Sequence, residues 1–277
     1  MTKKYASVHQ PLIARLQLET EKGHKKSADC TKAVKSKLHQ LYGAYTQDNA
    51  HKKAAAAITM LEQCLERDNS NTSLILDTAT SLLSLHASTK ERLPYYAQFY
   101  EFILSHTDPV ESILDIGCGY NPFSIPYLLA AANDLQLCPT TAVNLKSYHA
   151  YDIDTRVAIL INRFCVCLGL PSLALCEDLA VYTPNAQADI ALMCKLIPVL
   201  EAQAPGSGYK LARELNTRYL LITYPLKSLG GREKGMSKHY TAAFEKAMAS
   251  GELGKFMLLG HKYVGNEILY MLEAKAT

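Results

Sequence analysis

The chain has 277 residues, 20% of them charged, and a net charge of +3; that length suits one large or two ordinary domains with a real core. The composition is that of an ordinary globular protein without low-complexity tracts, which excludes a disordered or fibrous chain. No window approaches the ~18 apolar residues of a membrane span, and Met1–Tyr5 leads into mixed polar sequence rather than an apolar leader core, so a cytoplasmic location is expected.

Charge is unevenly placed. Residues 1–53 carry eleven Lys/Arg against four Asp/Glu, and a basic segment on an otherwise slightly acidic chain suits either a polyanion partner or a solvated helical face. The eight cysteines and nine histidines form no C-x-x-C, H-E-x-x-H or other ligand spacing, so buried free thiols and no catalytic metal are expected.

In chain order, the first hundred residues read as helical. Val8, Leu12, Leu16 and Leu18 mark a first helix. Cys30–Gly43 places Val34, Leu38 and Leu41 on one face and Lys32, Lys35 and Lys37 largely elsewhere. Lys52–Glu66 and Thr72–Leu85 continue the pattern across a polar break at 67–71, with Ile58, Leu61 and Leu65 facing inward. Ser88 followed by Glu91 fits a capping box, with Leu93, Tyr96, Tyr100 and Leu104 as the stripe behind it. Pro94 conflicts with a continuous helix; the alternative is a helix that starts at Pro94 and leaves Glu91 and Arg92 on a turn. An all-helical domain over 1–106 is expected, followed by a second domain over 107–277.

Ser112-Ile-Leu-Asp115-Ile-Gly117-Cys-Gly119-Tyr-Asn121-Pro122 changes the register. Ile113, Leu114 and Ile116 are the apolar run of a strand covered on both faces. Gly117 and Gly119 bracket a tight turn that lets a ligand approach the backbone, and Pro122 is tolerated in the first turn of the helix that follows. A dinucleotide G-x-G-x-x-G reading fails at its third glycine, which here is Pro122. An acidic residue before G-x-G at the end of a first strand suits the cofactor turn of S-adenosylmethionine (AdoMet) methyltransferases.

From Ser112 onward strands and helices alternate, which points to a doubly wound α/β sheet. A second strand, His149–Asp154, ends in carboxylates, where ribose hydroxyls are accepted in such folds. The segment 133–148 reads as an insertion ahead of it, and Asp152 is preferred to Asp154 as the ribose ligand because it follows the strand directly. A third strand over Leu173–Cys176 ends in Glu177-Asp178, and a fourth over Ala188–Cys194 puts Lys195 at its tip. Helices are expected over Phe123–Ala132, Thr155–Leu168, Pro205–Asn216 and Ser237–Ser250, and a fifth strand over Tyr219–Pro225. That strand opens into a glycine-rich loop, Leu226–Met236, with Lys227, Arg232 and Lys234. Phe256–Val264 and Glu267–Glu273 form a closing hairpin. This is the class I AdoMet-methyltransferase (Rossmann-like) layout with a C-terminal antiparallel hairpin.

Four segments carry a closer resemblance: His86–Leu93, Leu114–Pro122, Lys195–Glu201 and Pro225–Met236, with Gly265–Tyr270 also similar. They resemble the 16S rRNA (guanine(1405)-N(7))-methyltransferases that confer aminoglycoside resistance. The resemblance runs from about residue 35 to the C-terminus. It implies AdoMet as cofactor, S-adenosyl-L-homocysteine (AdoHcy) as product, and 16S rRNA in the 30S subunit as partner of a monomeric enzyme.

By that resemblance Arg92 clamps the methionyl carboxylate, Asp115, Gly117 and Gly119 form the cofactor turn, Asp152 with Ile153 takes the ribose, and Asp178 with Leu179 takes the adenine. Lys195 and Glu267 shape the target pocket. Lys227, Ser228, Arg232 and Met236, with Lys32, Lys35 and Lys37 of the helical extension, touch rRNA. No catalytic acid or base is expected, since N7 of guanine has a free lone pair. A small-molecule methyltransferase with a helical lid, a non-catalytic RNA-binding protein on the same scaffold, and an adenosine N1-methyltransferase remain the alternatives.

Overall fold

The computed structural model of the chain describes residues 5–22, 27–45, 49–67, 71–134, 144–227 and 236–275. Helices α1 (Gln10–Glu21), α2 (Ser27–Leu38), α3 (Ala50–Leu65), α4 (Thr72–Leu83), α5 (Ala87–Arg92) and α6 (Tyr96–Leu104) precede the first strand. A π-helical turn, His39–Gly43, extends α2. There follow β1 (Ser112–Ile116), α7 (Ile125–Asp134), β2 (Ser147–Asp152), α8 (Thr155–Cys167), β3 (Ser172–Cys176) and β4 (Gln187–Cys194). The chain then continues through α9 (Ile197–Glu201), α10 (Ser207–Glu214), β5 (Asn216–Pro225), α11 (Met236–Ala249), β6 (Phe256–Val264) and β7 (Glu267–Ala274).

The sheet order is β3-β2-β1-β4-β5-β7-β6. Strands β1 to β5 are parallel, and β7 runs antiparallel to both β5 and β6. The apolar runs dictate this arrangement. Ile113 of β1 enters one core layer while Leu114 and Ile116 enter the other, and Tyr219/Leu221 and Leu220/Ile222 of β5 divide the same way. Strands apolar on both faces are stable only when helices cover both.

The helical segment shares the larger of these cores. Ile58, Leu61 and Leu65 of α3, Leu82 and Leu83 of α4, and Phe99, Tyr100 and Ile103 of α6 join one buried cluster with Ile113, Phe164 and Met271 of the sheet half. Arg163 of α8 clamps Glu62 of α3 through Nε (2.9 Å) and Nη2 (2.6 Å). A smaller core of Val8, Leu12, Ile13, Leu16, Val34, Leu38 and Tyr42 holds α1 against α2.

Several local expectations need correction. Leu18 is 63% exposed; the buried stripe of α1 is Leu12, Ile13, Leu16 and Thr20, and position 18 falls on the opposite face. No capping box forms at Ser88. Helix α5 starts at Ala87 after His86, and the Glu91 carboxylate is drawn instead to the Lys195 ammonium at 2.9 Å. Pro94 resolves neither as a helix interior nor as a clean start: it sits in a 3-10 turn, Leu93–Tyr95, between α5 and α6, where its missing N–H costs least. The helix expected over Pro205–Asn216 is shorter, and the five-residue α9 was not anticipated.

Because Leu61 is fully buried in the shared core, Leu61→Ala is expected to lower the unfolding free energy by about 2–5 kcal/mol. The loss should appear in a single urea transition, coincident by far-ultraviolet circular dichroism and tyrosine fluorescence. Two separated transitions would show the helical segment to be an independent unit.

Candidate active site

The carboxyl ends of β1 to β4 open onto one cavity with about 990 Å³ of space, its mouth included. In open α/β sheets ligands bind at this edge, where the strand order reverses; here that point lies between β1 and β4. The turn after β1 forms the near wall, with Gly117 and Gly119 at φ +68° and +51°. A Cβ on Gly117 would lie 2.6 Å from Leu196 Cδ1, and one on Gly119 3.1 Å from His86 Cε1. Both positions therefore favour glycine for their positive φ, and at Gly117 a side chain would also displace Leu196.

Asp152 stands at the tip of β2 in the cavity wall. Its Oδ2 accepts from Gly119 N at 2.9 Å and its Oδ1 from Asp154 N at 3.0 Å. The Ile153 backbone N–H also acts on this carboxylate, which keeps acceptor capacity toward the cavity for a further donor. Burial, with the Asp154 charge nearby, raises this carboxyl to about 6, against the backbone N–H of Gly119 that lowers it. Ile153, Asp178 and Leu179 line the same cavity. Asp115 does not: fully buried beneath the turn, its Oδ2 accepts from Asn121 Nδ2 (2.9 Å) and Tyr148 Oη (2.7 Å). Burial raises its carboxyl to about 6 as well. These bonds tie the end of β1 to the turn and to β2.

Arg92 lines the cavity but is already engaged. Nε and Nη2 donate to Glu267 at 3.0 and 2.8 Å, and Nη1 donates to Asn121 Oδ1 at 2.9 Å. Phe99 lies under the guanidinium at 4.8 Å. Tyr96 is a further hydrogen-bond partner of the guanidinium, which leaves at most one of its five N–H groups to donate to an incoming carboxylate. Glu267 differs from expectation. It lies behind the wall rather than in it, and it also accepts from Thr223 Oγ1 at 2.7 Å and faces Lys195 Nζ at 3.4 Å. Burial alone would raise the Glu267 carboxyl, but Arg92 and Lys195 overcome this and hold it low.

Lys195, at the tip of β4, lines the cavity and adopts φ +57°, a left-handed conformation costly for a lysine. It is held there by its N–H, which donates to Thr223 O (3.1 Å) and Oγ1 (3.1 Å), and by the Nζ contacts to Glu91 and Glu267.

Several wall residues carried no readable signal in the sequence. Leu12, Leu41, Tyr42 and Tyr45 reach the cavity from the helical segment, and nothing in their spacing separates them from core positions. His86 also lines it, between Tyr45 at 5.9 Å and Tyr120 at 5.4 Å. Burial, with Arg92 and Lys195 adding to it, depresses His86 to about 3, so it is neutral at working pH, and its buried Nδ1 has no partner among the described residues.

Lys32, Lys35 and Lys37 lie on α2 away from the cavity, and Lys37 pairs with Glu19 at 3.4 Å. Lys227 follows β5 and is exposed. Ser228 and Arg232 lie outside the described residues, as does most of the 133–148 insertion; Met236 is the first residue of α11. Among the described residues no group of His, Cys, Asp and Glu could hold a metal, and no helix is long and apolar enough to cross a membrane.

What the fold and its cavity define together is a class I AdoMet-dependent methyltransferase. The donor set fits that cofactor: a glycine-flanked turn, a strand-tip carboxylate with acceptor capacity toward the cavity, and an arginine in the cavity wall. The model of the ribosomal RNA methyltransferase (FmrO) family matches residues 1–254, and the chain belongs to that family.

A 16S rRNA (guanine(1405)-N(7))-methyltransferase of Micromonospora rosea is 29% identical over 260 residues, covering 94% of this chain and 87% of that relative. The enzyme of the same name from Serratia marcescens is 29% identical over 272 residues, covering 98% and 94%. Among solved structures, the 16S rRNA methyltransferase RmtF in complex with AdoHcy aligns with a TM-score of 0.77 at 29% identity, over 98% of this chain and 93% of that one. The 16S rRNA methylase RmtB aligns at 0.76 and 27% identity, over 99% and 94%.

A ribose held by Asp152 favours the ionised carboxylate, so AdoHcy affinity should rise with pH between about 5 and 7 around the Asp152 value of about 6. Asp152→Asn should flatten that profile in isothermal titration calorimetry. The sign for the free protein is opposite. A carboxyl raised above its unfolded value binds its proton more tightly when folded, so its contribution to stability falls as pH rises through the window from 3.8 to about 6.

Proposed function

We propose that the chain methylates N7 of guanosine 1405 in 16S rRNA and thereby confers resistance to aminoglycosides. The observation that carries this reading is that one cavity is walled jointly by the strand tips and by the helical segment, Leu12, Leu41, Tyr42 and Tyr45, in a chain of the ribosomal RNA methyltransferase family. The segment 1–106, which carries the basic excess, is read as the RNA-docking unit and 107–277 as the methyltransferase unit. The assembled 30S subunit is the proposed substrate, and a cytoplasmic monomer the proposed form.

Bound AdoMet supplies an electrophilic methyl group on a sulfonium; as the guanine N7 lone pair forms the new bond, the C–S bond breaks and its electron pair stays on sulfur. No proton leaves N7, so no side chain has to act as base. What the chain contributes is position. Asp152 takes the ribose hydroxyls, and Gly117 and Gly119 keep side chains out of the approach. Asp178 with Leu179 borders the adenine. The guanidinium of Arg92, in the cavity wall, faces the methionyl carboxylate. Lys195, fixed by Glu91 and Glu267, borders the target side. Lys227, Ser228, Arg232 and Met236 are proposed for the RNA, with Lys32, Lys35 and Lys37 supplying phosphate contacts that do not read sequence.

Methylation assays, drug susceptibility and lysine variants test this. Incubation with 30S subunits and methyl-labelled AdoMet should label 16S rRNA, and primer extension after borohydride and aniline treatment should stop at the modified guanosine; no label across a range of salt would overturn the proposal. A strain expressing the chain should become resistant to kanamycin and gentamicin. Lys32→Ala with Lys35→Ala should lower kcat/KM for 30S about tenfold, with a shallower salt slope, and leave AdoHcy affinity unchanged. A small-molecule enzyme would tolerate both changes.

A further inference from the structure

Arg15 of α1 makes a contact that the family reading does not assign. Its Nε donates to Asp178 Oδ2 at 2.7 Å and its Nη2 to Asp178 Oδ1 at 3.1 Å. The same Nη2 donates to Gln203 Oε1 at 2.9 Å, and Nη1 donates to Glu19 Oε1 at 2.7 Å. The planar fork is thus fixed on three sides, and a bidentate pair of this kind defines the carboxylate plane in a way a lysine could not. Asp178 is 4% exposed and lines the cavity. Its Oδ1 accepts from both Arg15 and Ala180 N, at 3.1 and 3.2 Å, whereas Oδ2 accepts from Arg15 alone among the described residues. Oδ2 therefore keeps a lone pair for one more donor.

Helix α1 is itself fastened to the strand tips. His9 N donates to Ile153 O at 2.8 Å, Thr155 N donates to Ser7 O at 3.0 Å, and Val8 bridges Asp154 in antiparallel fashion. One helical turn before Arg15, Leu12 forms part of the cavity wall. The first helix is thus a strap across the β2 and β3 tips, with an arginine on its underside gripping the acid at the second of them.

We propose that Arg15 is a positioning residue of the cofactor site: it orients Asp178 so that Oδ2 accepts the exocyclic amine of the adenine, and the helical segment thereby sets cofactor affinity. The inference rests on the reading of Asp178 as the adenine-side acceptor. An anchor that merely stapled α1 to the sheet would affect stability and RNA docking; a positioning residue affects the cofactor specifically.

The test combines AdoHcy titration calorimetry with steady-state methylation of 30S subunits, for the wild type, Arg15→Ala, Arg15→Lys, Asp178→Ala and the Arg15/Asp178 double variant. Loss of one charge-assisted contact should raise the AdoHcy dissociation constant and the KM for AdoMet about tenfold in Arg15→Ala. The kcat at saturating AdoMet and the KM for 30S should stay within about twofold. Arg15→Lys should fall between, and Arg15→Ala should add nothing further in the Asp178→Ala background. Unchanged AdoHcy affinity in Arg15→Ala, or an equal additional loss on top of Asp178→Ala, overturns the proposal. Should the alanine variant fail to fold, the lysine variant decides on the same readouts, and wild-type affinity there overturns it. A wild-type chain that binds no AdoHcy would overturn the cavity reading and this inference together; wild-type binding with an insensitive Arg15 overturns this inference alone.

Discussion

Glu267 is the anion on which the floor of the site depends. It is 3% exposed at the start of β7, and a carboxylate buried there is tolerable only because Arg92, Lys195 and Thr223 meet it from three other elements. Such a network adds little net stability, since stripping water from each ion offsets the attraction. Its value lies in geometry. Removing either Arg92 or Glu267 would strand the other charge, a loss of about 3–5 kcal/mol, so the C-terminal hairpin, the end of α5 and the tip of β4 can adopt only one mutual arrangement. Lys195 accepts left-handed backbone strain within that arrangement.

The same constraint explains why the helical segment cannot be regarded as a mere attachment. Its helices bury Leu61, Leu82 and Phe99 in the core that also holds Ile113 and Met271. Its residues Arg15, Glu91 and Arg92 each pair with an acid or lysine of the sheet half. A segment read from the sequence as a basic RNA-binding extension thus has two faces. One carries exposed lysines, and the other completes the cavity.

Periodicity and turn chemistry made the sheet half legible. The strands beginning at Ser112 and Phe256 and the helix after Asp154 fall close to where alternation, glycine punctuation and a strand-end acid placed them, because each is decided by residues within a few positions. The acids at the tips of β2 and β3 were legible for the same reason: a carboxylate directly after an apolar run has few other places to go. Partners were not legible. Glu91 was read as a cap because Ser88 precedes it by three, yet a lysine 104 residues away outcompetes the helix N-terminus. Arg15 carries no local signal, since its partner Asp178 lies 163 residues away in the chain. Glu267 looked like a pocket residue because its neighbourhood matched a family pattern, while its burial depends on packing no local pattern encodes.

The paired charges also define the field inside the cavity. Its cations, Arg92 and Lys195, are neutralised by Glu267 and Glu91, and Asp178 by Arg15. His86 carries no charge. Asp152 is the one acid of the wall with no cationic partner among the described residues, and its raised value reflects burial without such a partner. An unscreened positive field would repel a sulfonium nucleoside. Here each cation that could clamp a carboxylate or border a guanine has been cancelled from behind, outside the cavity, so that its donors remain available while its field does not. The arrangement suits a transfer in which positive charge passes from sulfur to the guanine ring: the wall need only hold both partners still.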